Sequence, residues 1–236
     1  TQQIVAGDRD GGVHFLWLDA PEKNKHIAHH QKGVFDIQYI DNQLLTLGAD
    51  GCLTRWDLAH TRSVESIQLS AKSLRAFCFL SLIEAYAIAA SDGNIYIIDA
   101  KTWDVRHTIR AAHTPSVFCL SLSPDKRFLI SGGRDALLKC WDIRNGFELK
   151  SSVAAHLYTV NHIAFSPNNP AIFATASRDK TVKIWAFSPE EAAVFTLKKV
   201  LNTIRNGGHI NSVNRLLWFD NQLLSASDDR SIMLWE

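Results

Sequence analysis

The sequence has little net charge, few prolines and cysteines, and no long hydrophobic run. Its 236 residues include 6 prolines and 4 cysteines, and the formal net charge at pH 7 is +1. A nearly neutral chain lacks the basic surface that binds nucleic-acid phosphates. No apolar run approaches the roughly 18 residues that a membrane-spanning helix requires. We therefore expect neither a nucleic-acid partner nor a membrane partner.

Several motifs of binding and catalytic sites are also missing. The cysteines Cys52, Cys78, Cys119 and Cys140 show no Cys-x-x-Cys spacing and lie in predicted strands. We expect free, buried thiols and a cytoplasmic protein. Neither the glycine-rich phosphate-binding loop nor the Gly-x-Ser-x-Gly nucleophile elbow is present. The sequence therefore predicts no cofactor.

Tryptophan, by contrast, is abundant, and four of the 7 tryptophans end copies of one pattern. In each copy a histidine is followed by a serine or threonine, an aspartate and the tryptophan. The hydroxyl residue stands four positions before the aspartate and the tryptophan six after it, whereas the gap from histidine to aspartate varies from 20 to 23. The four sets are His30, Thr46, Asp50 and Trp56; His113, Ser131, Asp135 and Trp141; His156, Thr175, Asp179 and Trp185; and His209, Ser225, Asp229 and Trp235. Two constant spacings around the aspartate, together with one variable gap from the histidine, indicate a repeated structural unit.

Two further stretches keep only part of this pattern. Within residues 70–99, Asp92 is retained, but a serine replaces the histidine and Ile98 stands at the tryptophan position. In the opening stretch Asp10 is retained and Leu16 takes the tryptophan position. The equivalent positions lie 40 to 50 residues apart, so six units are visible.

Short apolar segments separated by turn residues predict an all-β protein. The first predicted strands cover residues 3–7, 13–18, 25–28 and 34–40. Residues 190–204 are ambiguous, because their apolar side chains recur at near-helical spacing where an outer strand is expected. We predict a strand over residues 194–201 with a loop before it, and a short helix is the alternative.

The pattern resembles that of the WD40-repeat family, whose repeats of about 40–45 residues each form a four-stranded propeller blade. The resemblance rests on Trp56-Asp57, Trp141-Asp142 and the four complete sets. It implies a single WD40 β-propeller domain over residues 1–236, with units at approximately 1–28, 29–69, 70–109, 110–153, 154–201 and 202–236. The first and last units are incomplete, and seven units would need about 280–315 residues. We therefore expect a fragment of a seven-bladed propeller. We expect it to be monomeric unless the incomplete ring pairs with a missing segment or another chain.

The resemblance also implies a hydrogen-bonded chain from tryptophan to hydroxyl to histidine to aspartate within each blade. An indole N–H can only donate, and a buried tryptophan needs an acceptor for it. The hydroxyl accepts from the indole and donates to the histidine, which in turn donates to the aspartate. We therefore assign the four sets a structural role and predict no catalytic residue among them.

The same residue types allow other interpretations. Serine, histidine and aspartate form nucleophilic triads, so a hydrolase that uses one set is an alternative function, although four copies in one small domain argue against it. His26, His29 and His30 lie close in sequence but lack a Cys/His framework of zinc-ligand spacing, and we predict no metal site. A module that only spaces other domains is a third possibility.

The resemblance implies that partners bind the face formed by the inner loops and by the turns that hold the aspartates. We predict a non-catalytic scaffold for a protein or peptide. Arg134 and Arg178, on neighbouring units and close to Tyr158, form a candidate site for an acidic segment. The candidate partner-binding residues are Arg134, Arg178, Tyr158, Leu157, Thr114, Ser116 and Asp228.

Overall fold

The computed structural model describes residues 3–40, 42–190 and 194–235, and in this part of the chain the strands form six antiparallel sheets. Sheet 1 contains β1 (Gln3–Gly7), β2 (Gly12–Trp17) and β3 (Lys25–Ala28). Sheet 2 contains β4 (Val34–Ile40), β5 (Gln43–Gly48), β6 (Cys52–Asp57) and β7 (Arg62–Gln68). Sheet 3 contains β8 (Leu74–Leu80), β9 (Ala85–Ala90), β10 (Ile95–Asp99) and β11 (Val105–Ile109). Sheet 4 contains β12 (Val117–Leu122), β13 (Phe128–Gly133), β14 (Leu137–Asp142) and β15 (Glu148–Ala154). Sheet 5 contains β16 (Val160–Phe165), β17 (Ile172–Ser177), β18 (Val182–Ser188) and β19 (Val194–Leu201). Sheet 6 contains β20 (Val213–Phe219), β21 (Gln222–Ser227) and β22 (Ile232–Trp235).

Within each sheet the strands pair in sequence order, and successive sheets pack face to face as the blades of a propeller. The first strands of sheets 2 to 6 are the innermost, and those of sheets 2 to 5 each contact the first strand of the next sheet. Five hydrophobic clusters lie between consecutive sheets, one at each junction. The second strand of each of sheets 3 and 4, Ala85–Ala90 and Phe128–Gly133, is buried along its whole length. Burial on both faces explains why these strands read as continuous apolar or small-residue runs.

Every innermost strand carries a β-bulge near its start. The register of β4 shifts between Val34 and Asp36, and the same shift occurs in β8, β12, β16 and β20. A bulge redirects one side chain out of the regular alternation. The bulged positions are Phe35, Arg75, Phe118, Asn161 and Asn214.

Several expectations about the elements are confirmed. The ambiguous segment forms a strand, Val194–Leu201, and a one-turn helix, α1 (Thr203–Asn206), follows it. Residues 191–193 of the loop predicted before this strand lie outside the described residues. The first four strands agree with the predicted ranges to within one residue.

Other expectations need qualification. The fold is an all-β propeller with six blades, and the seven-bladed parent is not confirmed. All four thiols are free, but Cys52 and Cys78 are only half-buried. Burial raises the pKa of the Cys119 thiol to about 12. In the described part of the chain, no helix has the length and hydrophobicity that crossing a bilayer would require.

Candidate interaction site on the loop face

Each complete set of four residues, hereafter a tetrad, forms a continuous hydrogen-bonded chain. In sheet 4 the indole N–H of Trp141 donates to Ser131 Oγ at 2.9 Å, and His113 Nε2 lies 2.7 Å from the same oxygen. His113 Nδ1 lies 2.8 Å from Asp135 Oδ1. Because the indole is only a donor, the hydroxyl accepts from it and donates to Nε2, which places the histidine proton on Nδ1, facing the carboxylate. The tetrads of sheets 2, 5 and 6 repeat this arrangement.

In the tetrad of sheet 5, burial favours the neutral form of His156, and hydrogen bonds keep Asp179 ionised. Burial is the main cause that lowers the pKa of His156 below its ordinary value, with Asp179 acting in the opposite direction. Burial by itself would raise the pKa of Asp179, but hydrogen bonds from His156 and Thr181 hold that pKa well below the usual range. The tetrad therefore contains a neutral imidazole donating to a carboxylate, as a static network requires.

The aspartate of each tetrad also fixes the loop that follows the histidine. The backbone N–H one residue after the histidine donates to this carboxylate in all four tetrads, at 2.9–3.1 Å. The four donors are Gln31, Thr114, Leu157 and Ile210. All four side chains are exposed, with Leu157 at 84% and Ile210 at 67% of their full surface. The hydrogen bonds to the tetrad aspartates therefore hold these four exposed side chains on one surface. We call this surface the loop face, and it consists of these loops and of the turns that hold the aspartates.

The two incomplete sets build substitutes for the missing members. In sheet 3 both Ser70 Oγ and Tyr96 Oη donate to Asp92 Oδ2, each at 2.7 Å. In sheet 1 the sequence predicts that Asp10 holds the turn, but the structure assigns this task to Asp8. Asp8 Oδ1 accepts the N–H groups of Asp10 and Gly12, each at 2.8 Å. Gly7 pairs with Val13 in sheet 1 as Leu47 pairs with Leu53 in sheet 2, so Asp8 stands at the position that Gly48 occupies in sheet 2.

The tetrad hydroxyls are placed badly for nucleophilic catalysis. Thr46, Thr175 and Ser131 are fully buried, and Ser225 is 1% exposed. Each oxygen already serves an indole and an imidazole. A substrate could reach such an oxygen only if the tryptophan moved away, and that would leave a buried N–H without an acceptor.

The structure places most of the predicted partner-binding residues on the loop face. Arg134, Arg178, Thr114 and Asp228 are exposed, and Tyr158 is 60% exposed beside Leu157. Ser116 is an exception, because it is only 5% exposed and its hydroxyl donates to the carbonyl oxygen of Ser91 at 3.2 Å. Ser116 therefore cannot contact a partner, contrary to the prediction from the sequence.

Next to the loop face, at the starts of three innermost strands, lie residues that the sequence did not single out. The guanidinium carbon of Arg75 lies 4.3 Å from the ring centre of Phe35 and 4.8 Å from that of Phe118. These three residues are the bulged positions of three consecutive innermost strands. Burial, and then the positive charge of Arg134, lowers the pKa of the Arg75 guanidinium. Only the bulges bring these side chains together, so the sequence pattern held no sign of the stack.

Comparison with known families agrees with the tetrad geometry. The family model described as "WD domain, G-beta repeat" matches residues 103–142, 147–186 and 198–236, just over half of the chain. The chain belongs to the WD40-repeat family. The matched ranges contain most of sheets 4, 5 and 6. Sheet 2 lies outside the matched ranges but has the same WD40 tetrad.

The WD40 chain is similar to several curated proteins. It is 26% identical over 270 residues to nuclear distribution protein PAC1 of Arthroderma otae, which covers 99% of this chain and 56% of that protein. It is 29% identical over 150 residues to anaphase-promoting complex subunit cdc20 of Dictyostelium discoideum, covering 61% of this chain and 30% of that protein. The chain thus spans between about a third and just over half of the length of these two WD40 relatives.

A solved structure has the same WD40 architecture. A chain in the crystal structure of a mitotic checkpoint complex superimposes with a TM-score of 0.84 and 17% sequence identity, covering 99% of this chain and 73% of that one. At this level of identity the likeness concerns the fold.

Proposed function

We propose that this WD40 propeller is a non-catalytic interaction platform whose loop face binds an acidic segment of a protein partner. The observation that carries the proposal is the combination of exposed apolar side chains and arginines on loops that the buried tetrads hold in place. Leu157 and Ile210 project from neighbouring sheets with most of their surface exposed. Preformed loops lose little conformational freedom when a partner binds, which favours recognition.

The charge of this face indicates which kind of segment would bind. Arg134 is close enough to Arg75 for its charge to lower the pKa of the Arg75 guanidinium. Among the described residues, neither Arg134 nor Arg178 forms an ion pair with a carboxylate. A carboxylate from a partner would relieve the repulsion between the guanidinium groups, and Arg suits this role because it binds carboxylates in a bidentate manner.

The proposal is tested by reversing charge at two arginines. We expect Arg134→Glu combined with Arg178→Glu to abolish both capture of protein partners and binding of a glutamate-rich peptide by this chain. The melting temperature should stay unchanged, because both side chains are exposed. The matched control is Lys126→Glu with Lys198→Glu, which reverses two exposed lysines on the β12–β13 turn and on an outer strand, away from the loop face. Undiminished capture by the arginine variant would exclude this face.

A chemical probe separates the scaffold from a hydrolase. We expect a serine-directed fluorophosphonate to leave the folded chain unlabelled, because Ser131 and Ser225 are buried and hydrogen-bonded to tryptophan. Labelling of either serine in the native protein, established by peptide mapping, would favour the hydrolase. Gel filtration of the protein with candidate partners distinguishes the scaffold from a module that only spaces other domains.

A further inference from the structure

Sheet 1 brings together three side chains with metal-ligand chemistry that no tetrad uses. Asp8 lies in the turn between β1 and β2, His14 lies on β2, and His26 lies directly opposite His14 on β3. His14 Nε2 is 2.8 Å from Asp8 Oδ2, and His26 Nε2 is 3.8 Å from the same oxygen. The two imidazole rings are 4.5 Å apart between centres. The candidate ligand atoms of the three residues all lie within 4.8 Å of one another.

We propose that Asp8, His14 and His26 form a zinc-binding site on sheet 1. Zinc bonds of about 2.0–2.1 Å in tetrahedral geometry place neighbouring ligand atoms about 3.4 Å apart. The two measured separations from Asp8 Oδ2, 2.8 and 3.8 Å, lie on either side of this value. Small rotations of the two imidazoles are therefore enough to admit the ion.

The turn holds the carboxylate in an orientation suited to a ligand. Asp8 Oδ1 accepts the backbone N–H groups of Asp10 and Gly12, so Oδ2 points to the histidines. Such outer hydrogen bonds orient a metal-ligating carboxylate.

The space for the ion depends on a glycine. A Cβ atom at position 12 would overlap both His26 Nε2 and Asp8 Oδ2. Gly12 has no positive φ that would by itself demand glycine. Any larger residue at this position would fill the volume between the ligands, so Gly12 leaves this volume to the site.

The donor set selects the class of metal. Two imidazoles and one carboxylate suit zinc and neighbouring transition ions, whereas Mg²⁺ and Ca²⁺ prefer oxygen ligands alone. The side chains of Asp8 and His14 are each 34% exposed and that of His26 is 53% exposed. Solvent therefore reaches the fourth position, and a water molecule or a carboxylate from a partner would complete the coordination.

The zinc site differs from the cluster that the sequence first brought to attention. His29 Nε2 lies 3.0 Å from the hydroxyl of Thr54, and His30 belongs to the tetrad of sheet 2. Both imidazoles are thus engaged elsewhere. Only His26 of that group joins the zinc site, because strand pairing brings it opposite His14.

The test is zinc titration of the metal-stripped chain by isothermal calorimetry at pH 7.5, with Mg²⁺ as a negative probe. We expect one saturable zinc site and a melting temperature that rises with zinc concentration. His26→Ala should weaken zinc binding at least about 100-fold, the upper end of the loss seen for outer-shell partners. Gly12→Ala should also remove binding, because the new methyl group would push His26 Nε2 and Asp8 Oδ2 out of position.

The matched control is His60→Ala. His60 Nδ1 lies 2.7 Å from Asp57 Oδ2 in an exposed pair, and no second histidine completes that pair among the described residues. The control should bind zinc as the parent chain does. The inference is overturned if the parent chain shows no saturable zinc binding, or if His26→Ala binds zinc with the parent's affinity and stoichiometry.

Discussion

At the scale of single residues, one hydroxyl oxygen joins the two halves of each tetrad. Ser131 Oγ accepts from Trp141 and contacts His113, and all three side chains are buried or nearly so. A hydrogen bond within such a network contributes modestly, but an unpaired buried donor costs about 1–3 kcal/mol. The hydroxyl residue therefore contributes most to stability, because its loss leaves both the indole and the imidazole without a hydrogen-bond partner.

We expect Ser131→Ala to lower the free energy of unfolding by about 2–4 kcal/mol, since both the indole N–H and the imidazole lose a partner. Urea denaturation followed by tryptophan fluorescence measures the change. Ser152→Ala, at an exposed position on β15 of the same sheet, is the control and should change stability by less than about 0.5 kcal/mol. Equal effects of the two substitutions would mean that the tetrad adds no stability.

A partly buried histidine outside the tetrads, His162, makes stability depend on pH. Burial, and then the charge of Arg215, lowers the pKa of His162 to about 4, whereas it is about 6.5 in an unfolded chain. Between these pH values the unfolded chain binds more protons than the folded one, so stability falls as the pH is lowered from about 6.5 to 4.

We expect the melting temperature to decrease over that interval, and His162→Asn to make the decrease smaller. Asparagine retains an acceptor for the Leu216 N–H, which lies 3.3 Å from His162 Nδ1, but it does not titrate. His156 and His29, whose pKa values are also lowered by burial, leave a residual slope. Thermal melts of both proteins at several pH values measure the difference, and identical slopes would contradict the assignment to His162.

At the scale of elements, the turn that holds the tetrad aspartate, or its counterpart in sheets 1 and 3, packs against the loop that leads to the next sheet. Gly11, Gly51 and Gly93 occupy this turn with φ between 83° and 99°. At each of them a Cβ atom would overlap a backbone oxygen of the loop leading to the following sheet. In sheets 4 to 6 the equivalent residues are Ala136, Lys180 and Arg230, with φ of 65–72°. The turns of sheets 1 to 3, whose glycines have the larger φ, thus lie closer to the following sheet.

We expect Gly51→Ala to destabilise the chain more than Gly146→Ala. Both glycines have positive φ, so both substitutions carry the backbone strain of the left-handed region, about 1–2 kcal/mol. A Cβ at position 51 would overlap the carbonyl oxygen of Ser70, whereas at position 146 it would meet nothing within 4 Å. The difference between the two free energies of unfolding isolates the contact between sheets. If the two variants unfold at the same urea concentration, the close contact between position 51 and Ser70 adds nothing to the loss of stability.

At the scale of the whole molecule, the outer face of sheet 6 differs from the faces at the internal junctions. Ile232 is 74% exposed, whereas the residues at the same position of sheets 2 to 5 are at most 1% exposed; these are Leu53, Ile95, Leu138 and Val182. Leu234 on the same strand is 52% exposed. In the described chain β22 is also an edge strand, and exposed apolar edges pair readily with other chains.

We expect the isolated 236-residue chain to associate with itself as its concentration rises, and Ile232→Lys with Leu234→Lys to suppress this association. Sedimentation velocity over a range of concentrations measures it. The control pair is Val105→Lys with Leu149→Lys, at positions about half exposed on the outer strands β11 and β15. A sedimentation coefficient that is independent of concentration in the parent chain would contradict the prediction.

The sequence determined the repeat and the strand order, and its resemblance to the WD40-repeat family implied the partners within each tetrad. Those features depend on fixed local steps, such as the six residues from Asp135 to Trp141, and on the donor and acceptor capacity of each side chain. The same reasoning placed Arg134 and Arg178 on the exposed turns, because they directly precede the tetrad aspartates.

Only the tertiary structure decided which side chains from different elements meet. The stack of Arg75 between Phe35 and Phe118 requires three bulges and three adjacent sheets, and the pairing of His14 with His26 requires the register of β2 and β3. Ser116 is buried because it contacts a neighbouring sheet, and Asp8 replaces Asp10 because its carboxylate accepts the backbone N–H groups of the turn. Spacing along the chain determines which residues of one repeat can pair, but the packing and register of strands and sheets determine which distant residues come into contact.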